Sequence, residues 1–336
     1  METEEKVEMN EQLLEVKNLV TAFTTSRGLL RAVDGVSFQV GHGELLGLIG
    51  ESGSGKSLTS LSIMGLLPYP GKVVSGEILF EGQDLLELEE ADMSKIRGKN
   101  IAMIFQDSRV ALDPVYRCGE QIVEAIRIHE RVTREEARER ALKLISLVGI
   151  PHPARCMNAY PHELSGGMCQ RIMIAIALSC RPKLLIADEP TTALDVTVQA
   201  QILELLDKLR HDFNISVILI THNLGVVAGI ADKIAVMYAG QIVELGDIGK
   251  ILNHPMHPYT QGLIKAIPKL DVASRRLYSI SGTVPSLDRM PSGCRFVQRC
   301  PEAMDVCTTI PPEMSVLSDG QYVRCHKYDA WRSGHE

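Results

Sequence analysis

Long apolar runs are missing from this sequence, and aromatic residues are scarce. Aromatic side chains make up 4% of the 336 residues, with one tryptophan. The longest apolar candidates, residues 172–180 and 215–220, are far shorter than the ~20 residues that a membrane-spanning helix needs. Because they have the length of a core helix or a core strand, the sequence predicts no membrane span.

The start of the sequence lacks the features of a secretory leader. Residues 1–12 are acidic and polar, without the basic and apolar regions of a signal peptide. We therefore expect a cytosolic protein in which residues 1–11 form a flexible acidic N-terminus. An apolar content of 45% is ample for a core, and 336 residues allow one large domain with an appendage or two to three smaller units.

An excess of positive charge is also missing, since the formal net charge is -7. Binding to nucleic-acid phosphates needs a basic surface. The charge therefore argues against a general nucleic-acid binder, although it is compatible with a local basic patch.

Disulfides are not expected from the eight cysteines of a cytosolic protein. Four are scattered and four fall within the last 45 residues, namely Cys294, Cys300, Cys307 and Cys325. Residues 276–336 are rich in Pro, Gly, Ser and Cys and have few aliphatic side chains for a core of their own. This tail needs a cross-link, a metal or packing on the main domain.

Residues 50–57 read G-E-S-G-S-G-K-S, which matches the pattern G-x-x-x-x-G-K-S of a phosphate-binding loop. An apolar run, residues 45–49, precedes the loop, and a helical pattern, residues 58–67, follows it. In this context backbone N–H groups point at an anion, and the helix N-terminus adds partial positive charge. The alternative is a chance glycine-rich turn. The residues assigned to phosphate binding are Gly50, Ser52, Gly53, Ser54, Gly55, Lys56 and Ser57, with Lys56 on the β/γ-phosphates and the Ser57 hydroxyl on Mg²⁺.

Alternating residues at 13–19 and 33–40 predict a small antiparallel sheet ahead of the phosphate loop. Phe23 is placed in a threonine-rich loop between these two strands. It could stack on a purine ring, or it could cover the edge of the core, and position alone favours neither.

Residues 107–163 are helical and charged, with helices at 120–129 and 134–148 and Thr133 as an N-cap, so they predict a helical insert. Strands alternating with helices on either side of it predict a parallel sheet with helices on both faces. Four polar signals directly follow strands: the phosphate loop, Gln106, the pair Asp188 and Glu189, and His222. They should meet at one edge of the sheet, where ligands of such folds bind.

The polar residues at this edge suit nucleotide hydrolysis. Asp188 can bind Mg²⁺ directly or through water, and Glu189 can polarise a water for in-line attack on the γ-phosphate. His222 would complement the charge that develops on that phosphate. A lone histidine at a strand end is usually structural, but here its position reverses that expectation.

These motifs together resemble the ATP-binding subunit of an ATP-binding cassette (ABC) transporter. Residues 164–168, L-S-G-G-M, resemble the signature motif of that family, and Gln106, Asp195 and His222 match its Q-loop, D-loop and H-loop in family order. The resemblance covers residues 12–270 and implies an α/β P-loop NTPase fold with a parallel sheet core, an antiparallel β subdomain, a helical insert and a small cysteine-rich extension at residues 271–336. It also implies that Gln106 serves both catalysis and Mg²⁺ binding.

The resemblance narrows to the importers of dipeptides and oligopeptides. Met168, residues 160–164 (Y-P-H-E-L), residues 257–260 (H-P-Y-T) and the tail cysteines all resemble that branch. In some relatives the tail carries a [4Fe–4S] cluster, which implies Cys294, Cys300, Cys307 and Cys325 as its ligands. Zinc is less favoured because the spacing lacks a C-x-x-C pair, and four unmetallated thiols are the third possibility. Asn223 departs from the branch, where Asp is common.

By resemblance, two such subunits pair head to tail, and Ser165, Gly166 and Gly167 of one subunit meet the ATP held by the other. Asp195 would connect the two sites. The implied partners are a second ATPase subunit, identical or homologous, two transmembrane permease subunits docked near residues 107–163, and an extracytoplasmic binding protein acting indirectly. The subunit would lie peripherally on the cytoplasmic face of the membrane.

Other readings of the same motifs differ in cargo or in class. Close relatives also import nickel or other small solutes. A soluble ABC ATPase acting on DNA or ribosomes would carry coiled-coil arms or a second cassette, and neither is present in the sequence. A P-loop kinase would lack the signature. An iron–sulfur sensor with a vestigial ATPase is disfavoured because every catalytic position is filled.

Overall fold

The computed structural model of the chain describes residues 12–26, 28–192, 194–267 and 278–332. The predicted flexible N-terminus, residues 1–11, and the first residues of the predicted extension lie outside these ranges, as does Ala193. The division into domains stays a prediction.

The first strands form a four-stranded antiparallel sheet in the order β2-β1-β4-β5. The pairing aligns Val16 with Phe38 on one side and with Ile78 on the other. The predicted antiparallel sheet is therefore observed, with longer strands than the pattern indicated. Its strands are β1 (Gln12–Thr25), β2 (Gly28–Gly41), β4 (Gly71–Phe80) and β5 (Gln83–Asp84).

The larger sheet has eight strands in the order β11-β12-β10-β9-β3-β8-β7-β6. The run from β9 to β6 is parallel, and β10, β12 and β11 extend it in antiparallel pairing. The predicted parallel sheet is thus present, and two short strands that the sequence analysis did not predict, β11 and β12, extend it beyond β10. Its strands are β3 (Leu45–Ile49), β6 (Ile101–Ile104), β7 (Leu184–Asp188), β8 (Ser216–Thr221), β9 (Lys233–Tyr238), β10 (Gln241–Asp247), β11 (Ser315–Val316) and β12 (Tyr322–Val323).

Alternate residues of β3 belong to two hydrophobic cores, because side chains along a strand point to opposite faces. Leu45 and Ile49 join the core that the helices build, whereas Leu46 and Leu48 join the core under the antiparallel sheet. One face of the large sheet is therefore covered by helices and the other by α1 and the antiparallel sheet. All five β3 residues are buried, which anchors the start of the phosphate loop.

The helices lie between the strands and include the predicted insert. Thr133 and Glu136 form a reciprocal capping box at the start of α5, so the predicted N-cap is observed. The helices are α1 (Lys56–Ile63), α2 (Glu90–Ile96), α3 (Ser108–Ala111), α4 (Cys118–His129), α5 (Arg134–Leu147), α6 (Pro153–Asn158), α7 (Gly166–Ala177), α8 (Val196–Phe213), α9 (Leu224–Val227), α10 (Ile248–Asn253), α11 (Pro258–Lys265) and α12 (Val306–Thr309).

The C-terminal tail packs on the main domain. Packing was one of the three possible ways to stabilise a segment of this composition. Strand β12 pairs with β10 through Glu244 and Leu245. Phe296 is buried against the rings of Tyr238 and Tyr259, with centroids 5.1 and 5.4 Å away. The tail therefore shares the core of the larger sheet.

Among the described residues, no helix is both long enough and apolar enough to span a membrane.

Candidate functional site

The phosphate loop runs from the end of β3 to the start of α1, where the sequence placed it. Gly53 and Gly55 have φ angles of 80° and 101°, in the left-handed region that favours glycine. A Cβ on Gly50 would lie 2.2 Å from the Met237 carbonyl oxygen, so the close approach of β9 requires glycine there. The loop ends on the N-terminus of α1, where a helix favours anions.

Lys56 is buried within this loop. Its Nζ donates to the carbonyl oxygens of Gly50 at 2.7 Å and Glu51 at 3.0 Å. Burial lowers the pKa of Lys56, and the carboxylates of Glu189 and Asp188 oppose that shift. The ammonium therefore lies among the backbone groups of the loop and close to two acids.

Ser57 and Asp188 meet across the two elements that carry them. Ser57 Oγ, in the first turn of α1, donates to Asp188 Oδ1 at 3.1 Å, at the end of β7. Asp188 is 5% exposed, and burial raises its pKa while the Ser57 hydrogen bond opposes the rise. A hydroxyl and a carboxylate are oxygen ligands of the kind that Mg²⁺ prefers, so this pair fits the predicted cation.

Glu189 is held by three side chains from three different segments. Its carboxylate accepts from Gln106 Nε2 at 3.0 Å, Thr192 Oγ1 at 2.9 Å and His222 Nδ1 at 3.2 Å. Burial acts to raise the pKa of Glu189, but the bonds from Thr192 and His222 outweigh it, so the pKa lies below its usual value. The group is therefore an anion, as a base that accepts a proton from water must be.

Two of the four predicted strand-end signals, Gln106 and His222, thus contact the carboxylate of a third, Glu189, and the phosphate loop reaches the adjacent Asp188 through Ser57. The sequence analysis missed Thr192, although its place three residues after Glu189 on a tight turn was a usable signal. Asn223 accepts from the Gly225 backbone N–H at 3.0 Å and caps α9. Asparagine at this position therefore retains the capping role that an aspartate would have.

The signature segment begins α7. Ser165 is the N-cap of this helix and accepts from the Met168 N–H at 3.3 Å. A cleft of about 690 Å³ adjoins it. Its lining includes Gln106, Ser165, Gly166, Gly167, Thr192 and Asp195. The structure therefore brings the signature residues beside Gln106, but none of residues 50–57 lines this cleft.

Asp195 and Phe23 have local contacts that the sequence analysis did not specify. Asp195 caps α8 by accepting from the Val198 N–H at 2.9 Å. Phe23 lies within β1, paired with Leu30 and Gly71, so its predicted placement in a loop was wrong. A longer pairing register extends β1 through the threonine-rich segment. The roles of Asp195 and Phe23 in nucleotide binding stay predictions.

The four tail cysteines lie in one neighbourhood. Burial raises the pKa of Cys325 to about 11, and the charges of Cys294, Cys300 and Cys307 add to the shift. The Cys294 N–H donates to the Cys307 carbonyl oxygen at 2.8 Å.

No three or more His, Cys, Asp or Glu side chains of the described residues are arranged to hold a metal ion. The imidazole of the neighbouring His326 contacts Asp329 and the Ile310 carbonyl oxygen with its two nitrogens. The cluster therefore stays a prediction.

Comparison with known proteins gives two main family matches. The model of the ABC transporter family matches residues 33–192, and that of the oligopeptide/dipeptide transporter C-terminal region matches residues 243–307. A model of an AAA domain, described as a putative AbiEii toxin of a type IV toxin–antitoxin system, overlaps the first match at residues 158–228.

Curated relatives match over almost their full length. The chain is 52% identical to the oligopeptide transport ATP-binding protein AppD of Bacillus subtilis (strain 168), covering 94% of this chain and 97% of the relative. It is 50% identical to the dipeptide transport ATP-binding protein DppD of Escherichia coli (strain K12), over 94% and 96% of the two chains.

Solved structures show the same fold. The dimeric, post-hydrolysis structure of the ATP-binding cassette MJ0796 with ADP and Pi has a TM-score of 0.64 and 28% identity, over 70% of this chain and 98% of that one. This likeness confirms the predicted P-loop fold.

Proposed function

Since the chain belongs to the ABC transporter ATP-binding proteins of the oligopeptide and dipeptide branch, we propose that it hydrolyses ATP to drive peptide import through a membrane permease. The chain is an ABC-type ATPase. The observation that best supports a working hydrolytic site is the Glu189 carboxylate, which accepts hydrogen bonds from Gln106, Thr192 and His222 and whose pKa the last two keep below its usual value against the effect of burial.

In this proposal the phosphate loop and the N-terminus of α1 bind the phosphates of ATP, with Lys56 supplying positive charge. Ser57 and Asp188 would hold Mg²⁺, and Gln106 would be a further ligand of the ion. The ion would neutralise negative charge on the phosphates. Glu189 accepts a proton from the attacking water, and His222 orients that carboxylate through its Nδ1–H. Phe23 contacts the purine.

The site is completed by a second ATPase subunit. The signature residues line a cleft together with Gln106, and none of residues 50–57 lines it, which supports their use on the ATP of a partner. The likeness to a dimeric cassette points the same way. Val196, next to Asp195, is 83% exposed, as expected of a residue at a surface that a partner covers. The partner is an identical or a homologous chain.

Apolar side chains are exposed in and beside α3, directly after Gln106. Val110, Val115 and Tyr116 are 82%, 72% and 59% exposed. We take this part of the helical insert as the surface that docks the two permease subunits, with an extracytoplasmic binding protein delivering the peptide. The chain then lies on the cytoplasmic face of the membrane, and its charge of -7 supports the absence of a nucleic-acid partner.

The test of the hydrolytic assignment is Glu189→Gln in the full-length chain. Removing the base while keeping its size should abolish turnover and accumulate an ATP-bound dimer, which size-exclusion chromatography with ATP would detect. Glu77→Gln, an exposed substitution on β4, is the matched control and should turn over like the wild type. Unchanged ATP turnover in Glu189→Gln would refute the assignment of the base.

Peptide import has its own test, because nickel or another small solute is the competing cargo. The chain is produced together with its candidate permease and binding-protein partners, and uptake of labelled dipeptide, oligopeptide and Ni²⁺ is compared. Peptide uptake that disappears with Lys56→Ala supports the proposal, whereas uptake of Ni²⁺ alone overturns the assigned cargo.

For the tail we propose a [4Fe–4S] cluster held by Cys294, Cys300, Cys307 and Cys325, with a structural role. The backbone contact between Cys294 and Cys307 and the mutual effect of the four thiols support it, and binding would require their side chains to rearrange, because the described side chains are not arranged to hold a metal ion. Anaerobically purified protein should contain about four iron atoms and four sulfides per chain, the composition that defines such a cluster. Protein that contains zinc and no sulfide would show that the site binds zinc instead of a cluster. Protein that contains neither iron nor zinc would refute both assignments.

A further inference from the structure

The phosphate loop contains an acid, Glu51, at a place that the proposed function reserves for polyphosphate. Its side chain is 30% exposed. The Glu51 backbone lies among the groups that bind Lys56, since its carbonyl oxygen accepts from Lys56 Nζ at 3.0 Å. An uncompensated carboxylate here would oppose an incoming anion, because like charges repel strongly near a low-dielectric surface.

Arg299 of the C-terminal extension pairs with this carboxylate in a bidentate arrangement. Its Nη1 donates to Glu51 Oε2 at 2.7 Å, and its Nη2 donates to Glu51 Oε1 at 3.0 Å. The two residues are 248 positions apart in the chain. Two parallel hydrogen bonds between a guanidinium and a carboxylate fix the relative orientation of the two groups and also pair their charges.

The arginine is itself held rigidly. Its side chain is 5% exposed, and its Nε donates to the Ser281 carbonyl oxygen at 2.8 Å. The guanidinium carbon lies 5.6 Å from the centre of the Tyr238 ring and 5.9 Å from that of Phe296. A buried, stacked guanidinium loses little freedom when it binds, so the ion pair is preorganised.

Segments of the main domain next to the extension also contact the loop. The Glu51 N–H donates to the Tyr259 hydroxyl at 2.9 Å, from α11. Arg295, in the extension, donates to the Ala239 carbonyl oxygen and pairs with Asp34. The next residue, Gly240, donates its N–H to the Ser54 carbonyl oxygen at 2.8 Å. The extension therefore contacts the loop directly and the turn beside it.

We propose that Arg299 is a positioning residue for ATP binding that acts through Glu51: it neutralises the carboxylate that would otherwise repel phosphates at the first turn of the phosphate loop. The C-terminal extension is thereby a component of the nucleotide site. This inference rests on the proposed function, because it assumes that the loop binds ATP.

A purely structural role would give a different pattern of variants. If the ion pair only fastens the extension to the main domain, losing either partner has the same effect. If Arg299 acts on ATP through the charge of Glu51, then Glu51→Gln removes the need for the arginine. The two roles therefore predict different ATP affinities for Glu51→Gln.

The experiment measures the dissociation constant of ATP for the full-length chain, by displacement of a fluorescent ATP analogue, together with KM and kcat for hydrolysis. Arg299→Gln should weaken ATP binding by roughly tenfold and raise KM similarly, with kcat within about twofold. Arg299→Lys keeps the charge but loses the bidentate fork, so its ATP affinity should lie between those of Arg299→Gln and the wild type. Glu51→Gln should bind ATP at least as tightly as the wild type, and Glu51→Gln/Arg299→Gln within about threefold of it.

Two controls separate this inference from the proposed function. Lys56→Ala should abolish binding, and Lys327→Gln, which removes the exposed ion pair with Glu302 in the same extension, should change nothing. Wild-type protein that fails to bind ATP refutes the nucleotide site itself. Binding that is unchanged in Arg299→Gln refutes only the role of Arg299. If Arg299→Gln unfolds, a tenfold weaker affinity in Glu51→Gln overturns the proposal by itself.

Discussion

Acid should destabilise this protein through one buried histidine, His257. Its side chain is fully buried beside the ring of Phe296, and burial lowers its pKa from 6.5 to about 3. Its Nδ1 accepts the N–H of Tyr259 at 3.0 Å, which caps α11. A protonated imidazole has no lone pair for this bond, so the folded state requires the neutral form.

The size of the effect follows from proton linkage. The unfolded chain protonates this histidine near pH 6.5, whereas the folded chain does so only near pH 3. Because the unfolded state binds more protons in that window, stability falls as pH decreases below 6.5. At about 1.4 kcal/mol per pH unit, lowering the pH from 7 to 5 removes about 2 kcal/mol of unfolding free energy.

The assay is urea unfolding at pH 7 and pH 5 for the wild type and His257→Asn. Asparagine keeps a capping acceptor but does not titrate, so the variant should lose about 2 kcal/mol less than the wild type over this range. Each protein is compared with itself, which removes the cost of the smaller side chain. His211→Asn, at an exposed site on α8, should behave like the wild type. Equal pH-dependent losses in the wild type and His257→Asn would refute the reasoning.

Two other substitutions test single contacts of the described structure. Thr192→Val removes one of the bonds that keep Glu189 ionised, so kcat for ATP hydrolysis should fall by roughly tenfold while KM stays within about twofold, measured by phosphate release. A kcat equal to that of wild type would show that Gln106 and His222 suffice. Thr133→Ala removes the capping box of α5 and should lower the unfolding free energy by about 1 kcal/mol in urea, without a change in ATP affinity. An unchanged urea midpoint would contradict this.

Most of the site could be predicted because its residues belong to contiguous patterns at the ends of strands. Asp188 ends the buried strand β7, Glu189 follows it, and the phosphate loop follows β3, so the parallel order of the sheet brings them together. The contact of Gln106 and His222 with Glu189 follows from the same topology. Local sequence patterns and the order of the strands are therefore sufficient to predict this part of the site.

Other features depend on contacts between distant segments and left no local pattern. The ion pair between Glu51 and Arg299 joins the phosphate loop to the tail, and no spacing in the sequence indicates it. Phe23 was misplaced because threonine suits both loops and strands, and the pairing of β1 with β4 decides between them. The two outer strands of the antiparallel edge, β11 and β12, were missed because each is only two residues long.

The short strands of the tail have a consequence for solubility. An uncovered sheet edge offers a row of unpaired N–H and C=O groups, on which a second chain can add its own strand. Here β12 occupies that position on β10, and the outermost strand, β11, is too short to serve as a template. Deleting residues 311–336 should therefore expose the edge of β10, so that the shortened protein self-associates through backbone hydrogen bonds.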